Sequence, residues 1–109
     1  MSRIVVTGGR DETPERKTMV NNALNIYKPV EVAQGGAKGT DTYALLWCQD
    51  NKVKHQTFNV NWNTFGRAAG PIRNRKMIEK FKPDYVLAFP GGPGTLNCKT
   101  EAKRKELKL

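Results

Sequence analysis

The stretch 30-VEVAQGGAKGTDTYALLWCQDN-51 contains half of a folding unit in one line. Val30–Ala33 reads as a short buried strand. After Gln34, Gly35–Gly39 crowds three glycines into five residues. Asp41 offers a side-chain oxygen where a helix needs an N-cap, and Ala44, Leu45, Trp47 and Cys48 form the apolar side of a helix through Asn51. Strand, glycine turn, helix is the first half of a strand–helix–strand unit, which requires a parallel sheet.

The same grammar recurs outward from that stretch. Arg3–Thr7 (RIVVT) is rich in β-branched residues and reads as a buried strand. Thr13-Pro14-Glu15 then opens a helix with a hydroxyl cap, proline at the first position and an acid in the first turn. Met19, Val20, Ala23, Leu24 and Tyr27 follow at helical spacing. Downstream, Val53–Val60 is a third strand with a polar centre, Pro71–Phe81 a third helix, Tyr85–Phe89 a fourth strand and Thr95–Leu107 a fourth helix. The pattern predicts one α/β domain over residues 1–109. Its architecture is a Rossmann-like three-layer sandwich on a mostly parallel sheet of four strands, in order 3-2-1-4, with right-handed crossovers.

Composition narrows the function classes. The chain carries 19 Lys+Arg against 10 Asp+Glu, a formal +9, which favours anionic partners such as phosphates or nucleic acid. The basic tail KTEAKRKELKL (99–109) also reads as a solvated helix face. Two cysteines and a single histidine, His55, make neither a disulfide framework nor a zinc site, so no metal and no other cofactor is expected. Ser2 is the only serine, which excludes a Ser-His-Asp triad. His55 falls inside a strand and reads as structural. Cys48 and Cys98 read as packing residues. The opening MSRIVVTGG is too short an apolar run for a signal peptide, and no stretch reaches membrane-spanning length. A cytoplasmic setting without membrane contact is therefore expected.

Glycine placement is the most informative count. All ten glycines fall in the predicted strand-to-helix connections: Gly8 and Gly9; Gly35, Gly36 and Gly39; Gly66 and Gly70; Gly91, Gly92 and Gly94. The helix-to-strand connections use Lys28-Pro29, Asn51-Lys52 and Lys82-Pro83-Asp84 instead. In a parallel sheet every strand-to-helix loop lies at the carboxyl edge, where open α/β folds bind ligands. Glycine there lets backbone N–H groups come close to an anion. Glycines that only marked turns would appear on both edges, because helices often end in one.

Each connection supplies candidates. Thr7-Gly8-Gly9-Arg10 is a tight turn with a cation. Gly35-Gly36-Ala37-Lys38-Gly39 ahead of a helix predicts a phosphate cradle, with Asp41 either capping the helix or accepting from a ribose hydroxyl. The long connection from Asn61 holds Trp62, Phe65, Arg67, Arg73, Asn74 and Arg75. Trp62 can stack on a base or pack the loop down, and the arginines can pair with phosphate. Arg73 and Arg75 sit in the first two turns of a helix, where the dipole disfavours cations, which points to a ligand. Pro90-Gly91-Gly92-Pro93-Gly94-Thr95 repeats the anion-binding geometry, with Thr95 as cap and phosphate ligand.

The motifs VVTGGRD, QGGAKGTD, NWNTFGRAAGPIRNRKM and VLAFPGGPGT, in that order, resemble the YspA (cpYpsA-related) family of the SLOG superfamily from about Arg3 to Thr95. The resemblance implies a Rossmann-like fold that binds nucleotides or nucleotide-derived ligands at its glycine loops, and a homo-oligomer. Superfamily relatives include the LOG phosphoribohydrolases, the DNA-processing protein DprA, and domains that sense ADP-ribose-type signals. The LOG PGGxGT turn matches Pro90 to Thr95, and its arginine-lysine pair resembles Arg75-Lys76. Its glutamate falls on Cys98 here, with Glu101 about one helical turn beyond. The implied function is binding of a small nucleotide or nucleotide-sugar. Alternatives are an N-glycosidase acting on nucleoside 5′-monophosphates through Arg75 and Glu101, and single-stranded nucleic-acid binding.

Overall fold

In the computed structural model, residues 2–60 and 66–104 are described. The element order is β1 (Arg3–Thr7), α1 (Pro14–Tyr27), β2 (Glu31–Gln34), α2 (Thr40–Asp50), β3 (Lys54–Thr57), a 3-10 turn (Gly66–Ala68), α3 (Ala69–Phe81), β4 (Tyr85–Ala88) and α4 (Pro93–Arg104). The strands pair in parallel in the order β3-β2-β1-β4. Both the Rossmann-like architecture and the predicted strand order are found.

Period-two alternation divides the core in two. Ile4, Val6 and Val32 pack with Val20 and Leu24 of α1 and Ala44, Trp47 and Cys48 of α2. Val5, Ala33 and Val86 face the other way, onto Met77, Ile78 and Phe81 of α3 and Cys98 and Ala102 of α4. Because β1 is central and covered on both faces, Arg3–Thr7 needs consecutive apolar β-branched residues rather than an alternating pattern. The polar centre of β3 has the opposite explanation: it is an edge strand, and Lys54, Gln56 and Thr57 are exposed.

Several boundaries shift from the sequence reading, each for a local reason. α2 begins at Thr40, and its cap is Gly39, at φ 73°. Asp41 is therefore not the cap. α3 begins at Ala69 rather than Pro71, directly from the 3-10 turn. Proline is tolerated inside the first turn because the N–H it lacks has no intrahelical partner there. α4 begins at Pro93, and the Gly92 carbonyl accepts from Leu96 N–H at 3.1 Å. Thr95 thus lies inside the first turn and is not the cap. β3 and β4 are shorter than predicted, and β2 is displaced by one residue.

The helix-to-strand turns contain an unexpected feature. Lys28, Lys52 and Lys82 take φ of 49°, 55° and 53°. Each adopts the left-handed conformation that glycine would occupy without strain. Glycine is thus missing from the amino edge even where the backbone favours it. No helix among the described residues is long and apolar enough to cross a membrane.

Candidate functional site at the carboxyl edge

Helices α1 and α2 cover one face of the sheet, and α3 and α4 cover the other. The connections leaving β1 and β4 therefore diverge from adjacent strands. This is the switch point at which open α/β sheets form their ligand crevice. The two loops meet there in direct backbone contact: Gly9 N–H donates to the Pro90 carbonyl at 2.8 Å. The Gly9 carbonyl in turn accepts from Thr40 N–H at 3.1 Å and Thr40 Oγ1 at 2.9 Å, which ties the head of α2 to the same junction.

This junction gives most of the glycines a packing role. A Cβ on Gly8 would stand 2.9 Å from Phe89 Cβ and closer still to Thr40. On Gly9 it would meet the Pro90 carbonyl at 2.7 Å, and on Gly91 the Gly9 nitrogen at 2.7 Å and Thr95 Oγ1. On Gly35 it would run into the Arg73 guanidinium, and on Gly39 into the Arg10 backbone at 2.6 Å. Gly36 needs its positive φ of 77°. Gly92 differs from all of these. Its φ lies outside the left-handed range, and nothing stands within 4 Å of its missing Cβ. Gly92 opens onto a cleft of about 590 Å³ lined by Ala88, Phe89, Pro90, Gly91, Thr95, Leu96 and Lys99. That volume is within the usual range for small-molecule sites, roughly 300–1,000 Å³.

The second loop is closed on itself. Asp41 Oδ2 accepts from Gly35 N–H and Ala37 N–H, each at 3.2 Å, and Gly36 N–H donates to Gln34 Oε1 at 2.6 Å. The carboxylate thus occupies the amide nest that the sequence assigned to a phosphate. Asp41 is 6% exposed, and burial raises its pKa. The loop amides and the Arg73 and Arg10 cations oppose that rise. Among the described residues nothing bonds Asp41 Oδ1.

Of the five predicted cations, the four whose side chains are described do not converge. Arg10 and Lys38 are exposed. Arg73 turns inward, where Nη1 donates to the carbonyls of Gly35 at 2.7 Å and Phe58 at 3.2 Å, and Nε to Asn74 Oδ1 at 2.9 Å. Burial lowers its pKa, against the Asp41 carboxylate. Arg73 is thus a brace between the ends of β2 and β3. Arg75 pairs across α3 and α4 with Glu101, Nη2 to Oε1 at 3.4 Å. Asn74 is buried and donates to Asn97 Oδ1 at 3.0 Å, joining the same two helices. Trp62 and Phe65 lie outside the described residues, as do the side chain of Arg67 and any contact of Gly94.

Beneath the edge, burial pushes the Cys98 thiol up to about 11. The Thr7 side chain and the Arg73 cation favour its thiolate, and the Asp41 and Glu101 carboxylates oppose it. Cys98 is therefore a neutral packing group and not a nucleophile.

One residue at the junction escaped the sequence reading. Arg16, in the first turn of α1, is 7% exposed and reaches Thr40, Pro90 and Asp11. Its signal is the one that singles out Arg73 and Arg75, a cation where the helix dipole disfavours one. Leu96 and Lys99 line the cleft but carried no motif.

Comparison with known proteins accords with this architecture. The X-ray structure of DNA processing protein A (DprA) from Streptococcus pneumoniae superposes with a TM-score of 0.78 at 17% identity. The alignment covers 96% of this chain and 48% of that one, so the chain spans about half the length of DprA. At this identity the likeness concerns the fold alone. No curated protein matches in sequence. The family model described as YspA, cpYpsA-related SLOG family matches residues 2–65, the segment that includes β1, β2 and the first two glycine loops. By that match, over more than half of its length, the chain belongs to the YspA, cpYpsA-related SLOG family.

Proposed function

We propose that the protein binds a small nucleotide or nucleotide-sugar at the junction of the loops after β1 and β4. The observation that carries this reading is Gly92. It is a glycine that neither a close neighbour nor a positive φ requires, placed at the cap of α4 and open to the 590 Å³ cleft. The N–H groups at a helix start favour an anion. Lys99 adds a cation on the cleft wall, and Arg10 stands exposed on the neighbouring loop. Asp41 Oδ1, which no described residue bonds, is the acceptor for a ribose hydroxyl in this reading. Family membership supports the ligand class. The loop from Gly35 to Gly39 is a wall of the site in this reading, not its phosphate cradle, because its amides already hold Asp41.

Calorimetry against AMP, ADP-ribose, its cyclic forms and a single-stranded oligonucleotide tests the proposal. Saturable binding of a mononucleotide or nucleotide-sugar is expected. No binding at millimolar ligand overturns it. Binding of the oligonucleotide alone, falling steeply with salt, transfers the reading to nucleic acid. Native mass spectrometry of the purified protein reads any retained ligand and the subunit count together.

The Arg75–Glu101 pair favours a second reading, an N-glycosidase on nucleoside 5′-monophosphates. A carboxylate can stabilise the cation-like sugar of glycosidic cleavage. Here the Glu101 side chain is 6% exposed and faces Arg75, so a substrate must first open the pair. Release of free base from AMP, absent in Glu101→Gln, would establish turnover; wild type that releases none would exclude it.

A further inference from the structure

The guanidinium of Arg16 joins three separate parts of the carboxyl edge. Nη1 donates to Thr40 Oγ1 at 2.9 Å and to the Pro90 carbonyl at 3.0 Å. Nη2 stands 3.6 Å from Asp11 Oδ2, on a side chain 78% exposed. Nε is buried and has no hydrogen-bond partner. Among the described residues the cation is therefore sunk in the protein with one ion-pair partner, the solvent-facing carboxylate of Asp11.

The carbonyl of Pro90 is held by two donors at once, Arg16 Nη1 and the Gly9 N–H at 2.8 Å. Both draw it toward β1. A trans peptide points its C=O and N–H in opposite directions, and no cis bond occurs among the described residues. The N–H of Gly91 belongs to the same peptide as the Pro90 carbonyl, so it is turned away from β1. Among the described residues it has no acceptor, and Gly91 lines the cleft. The lock also explains why position 9 is glycine: a Cβ there would stand 2.7 Å from the Pro90 oxygen and 3.0 Å from Arg16 Nη2.

We propose that Arg16 is a positioning residue that locks the Pro90–Gly91 peptide, so that the Gly91 N–H is presented to an anionic group of the ligand. Its buried positive charge, directly behind that peptide, biases the same point toward negative charge. The identity of the anion, a nucleotide phosphate, rests on the function proposed above. The peptide lock does not.

Two arms separate these parts. The first needs no ligand. Amide exchange followed by NMR compares Gly9, whose acceptor is the locked carbonyl, with the core amides of Val5 and Val32. In Arg16→Met, Gly9 exchange accelerates tenfold or more relative to those references, and Arg16→Lys retains most of the protection. Unchanged relative exchange at Gly9 in Arg16→Met overturns the lock.

The second arm measures AMP and uncharged adenosine by calorimetry. Arg16→Met weakens AMP tenfold or more and leaves adenosine within twofold, with partial recovery in Arg16→Lys. Equal weakening of both ligands marks a merely structural residue and overturns the positioning role, as does an unchanged AMP affinity. Wild type that binds no nucleotide overturns the nucleotide reading, while the exchange arm still decides the lock.

Discussion

Alanine at positions 91 and 92 should separate a glycine required by the fold from one kept for a ligand. At Gly91 the new methyl would press on the Gly9 nitrogen at 2.7 Å, the Gly8 carbonyl carbon at 2.9 Å and Thr95 Oγ1. Two of these neighbours are backbone and cannot rotate away. Overpacking of this kind costs about 1–3 kcal/mol. With roughly 4–8 °C per kcal/mol in a domain of this size, a cost near the middle of that range lowers Tm by about 8–16 °C. At Gly92 nothing is displaced. Replacing glycine restricts the unfolded chain and stabilises by about 0.4–1 kcal/mol. Gly92 also caps α4, where alanine is poorer than glycine by a comparable few tenths to about 1 kcal/mol. The two effects nearly offset, and Tm should move by less than about 4 °C. The methyl nevertheless enters the cleft and separates the ligand anion from the helix head. Loss of one charge-assisted hydrogen bond, about 1.5–3 kcal/mol, weakens AMP by roughly 10- to 100-fold. Thermal unfolding and calorimetry on Gly91→Ala and Gly92→Ala decide the matter. The reasoning is refuted if Gly92→Ala melts as low as Gly91→Ala, or if it binds AMP like wild type.

Asp41 gives a pH signature. Burial raises its folded pKa above the unfolded 3.8, so its contribution to stability is fully present below 3.8 and is lost as pH rises through the folded value. Urea unfolding from pH 4 to 7 should show wild type losing stability relative to Asp41→Asn as pH increases; a parallel pair of curves would contradict this. Both thiols are buried and pushed up to about 11, so neither should react with a disulfide reagent at pH 8 before the protein unfolds; rapid native labelling would contradict the burial. Lys82→Gly should relieve a left-handed residue at φ 53°, worth about 1–2 kcal/mol, against about 0.4–1 kcal/mol for the freer unfolded chain, and so raise Tm by a few degrees. An unchanged or lower Tm would show that the side chain compensates.

The parts of the fold that local pattern could reveal were those that depend on local pattern. RIVVT reads as a strand covered on both faces because β1 is central, and Thr13-Pro14-Glu15 opens α1 as its chemistry dictates, with Thr13 accepting from Arg16 N–H at 3.2 Å. The one-sided glycines marked the carboxyl edge. What each glycine does there was not legible, because its neighbours are remote in sequence: Thr40 for Gly8, Pro90 for Gly9 and Arg73 for Gly35. Asp41 illustrates the same limit. A helix-opening aspartate ordinarily caps its own helix, yet this one turns back to the preceding loop, since Gly39 already occupies the cap position. Arg16 offered the sequence only a cation in the first turn of a helix. Its role depends on a carbonyl 74 positions away.

The claim that the junction of the β1 and β4 loops is a nucleotide site is tested most directly by following backbone amide signals during an AMP titration of the intact protein. Saturable shifts should be largest at Gly9, Arg10, Gly91, Gly92 and Thr95, with the Gly91 amide moving downfield as it donates to phosphate. Silence at those residues with millimolar AMP, or shifts confined to the amino edge around Lys28 and Lys82, would contradict it.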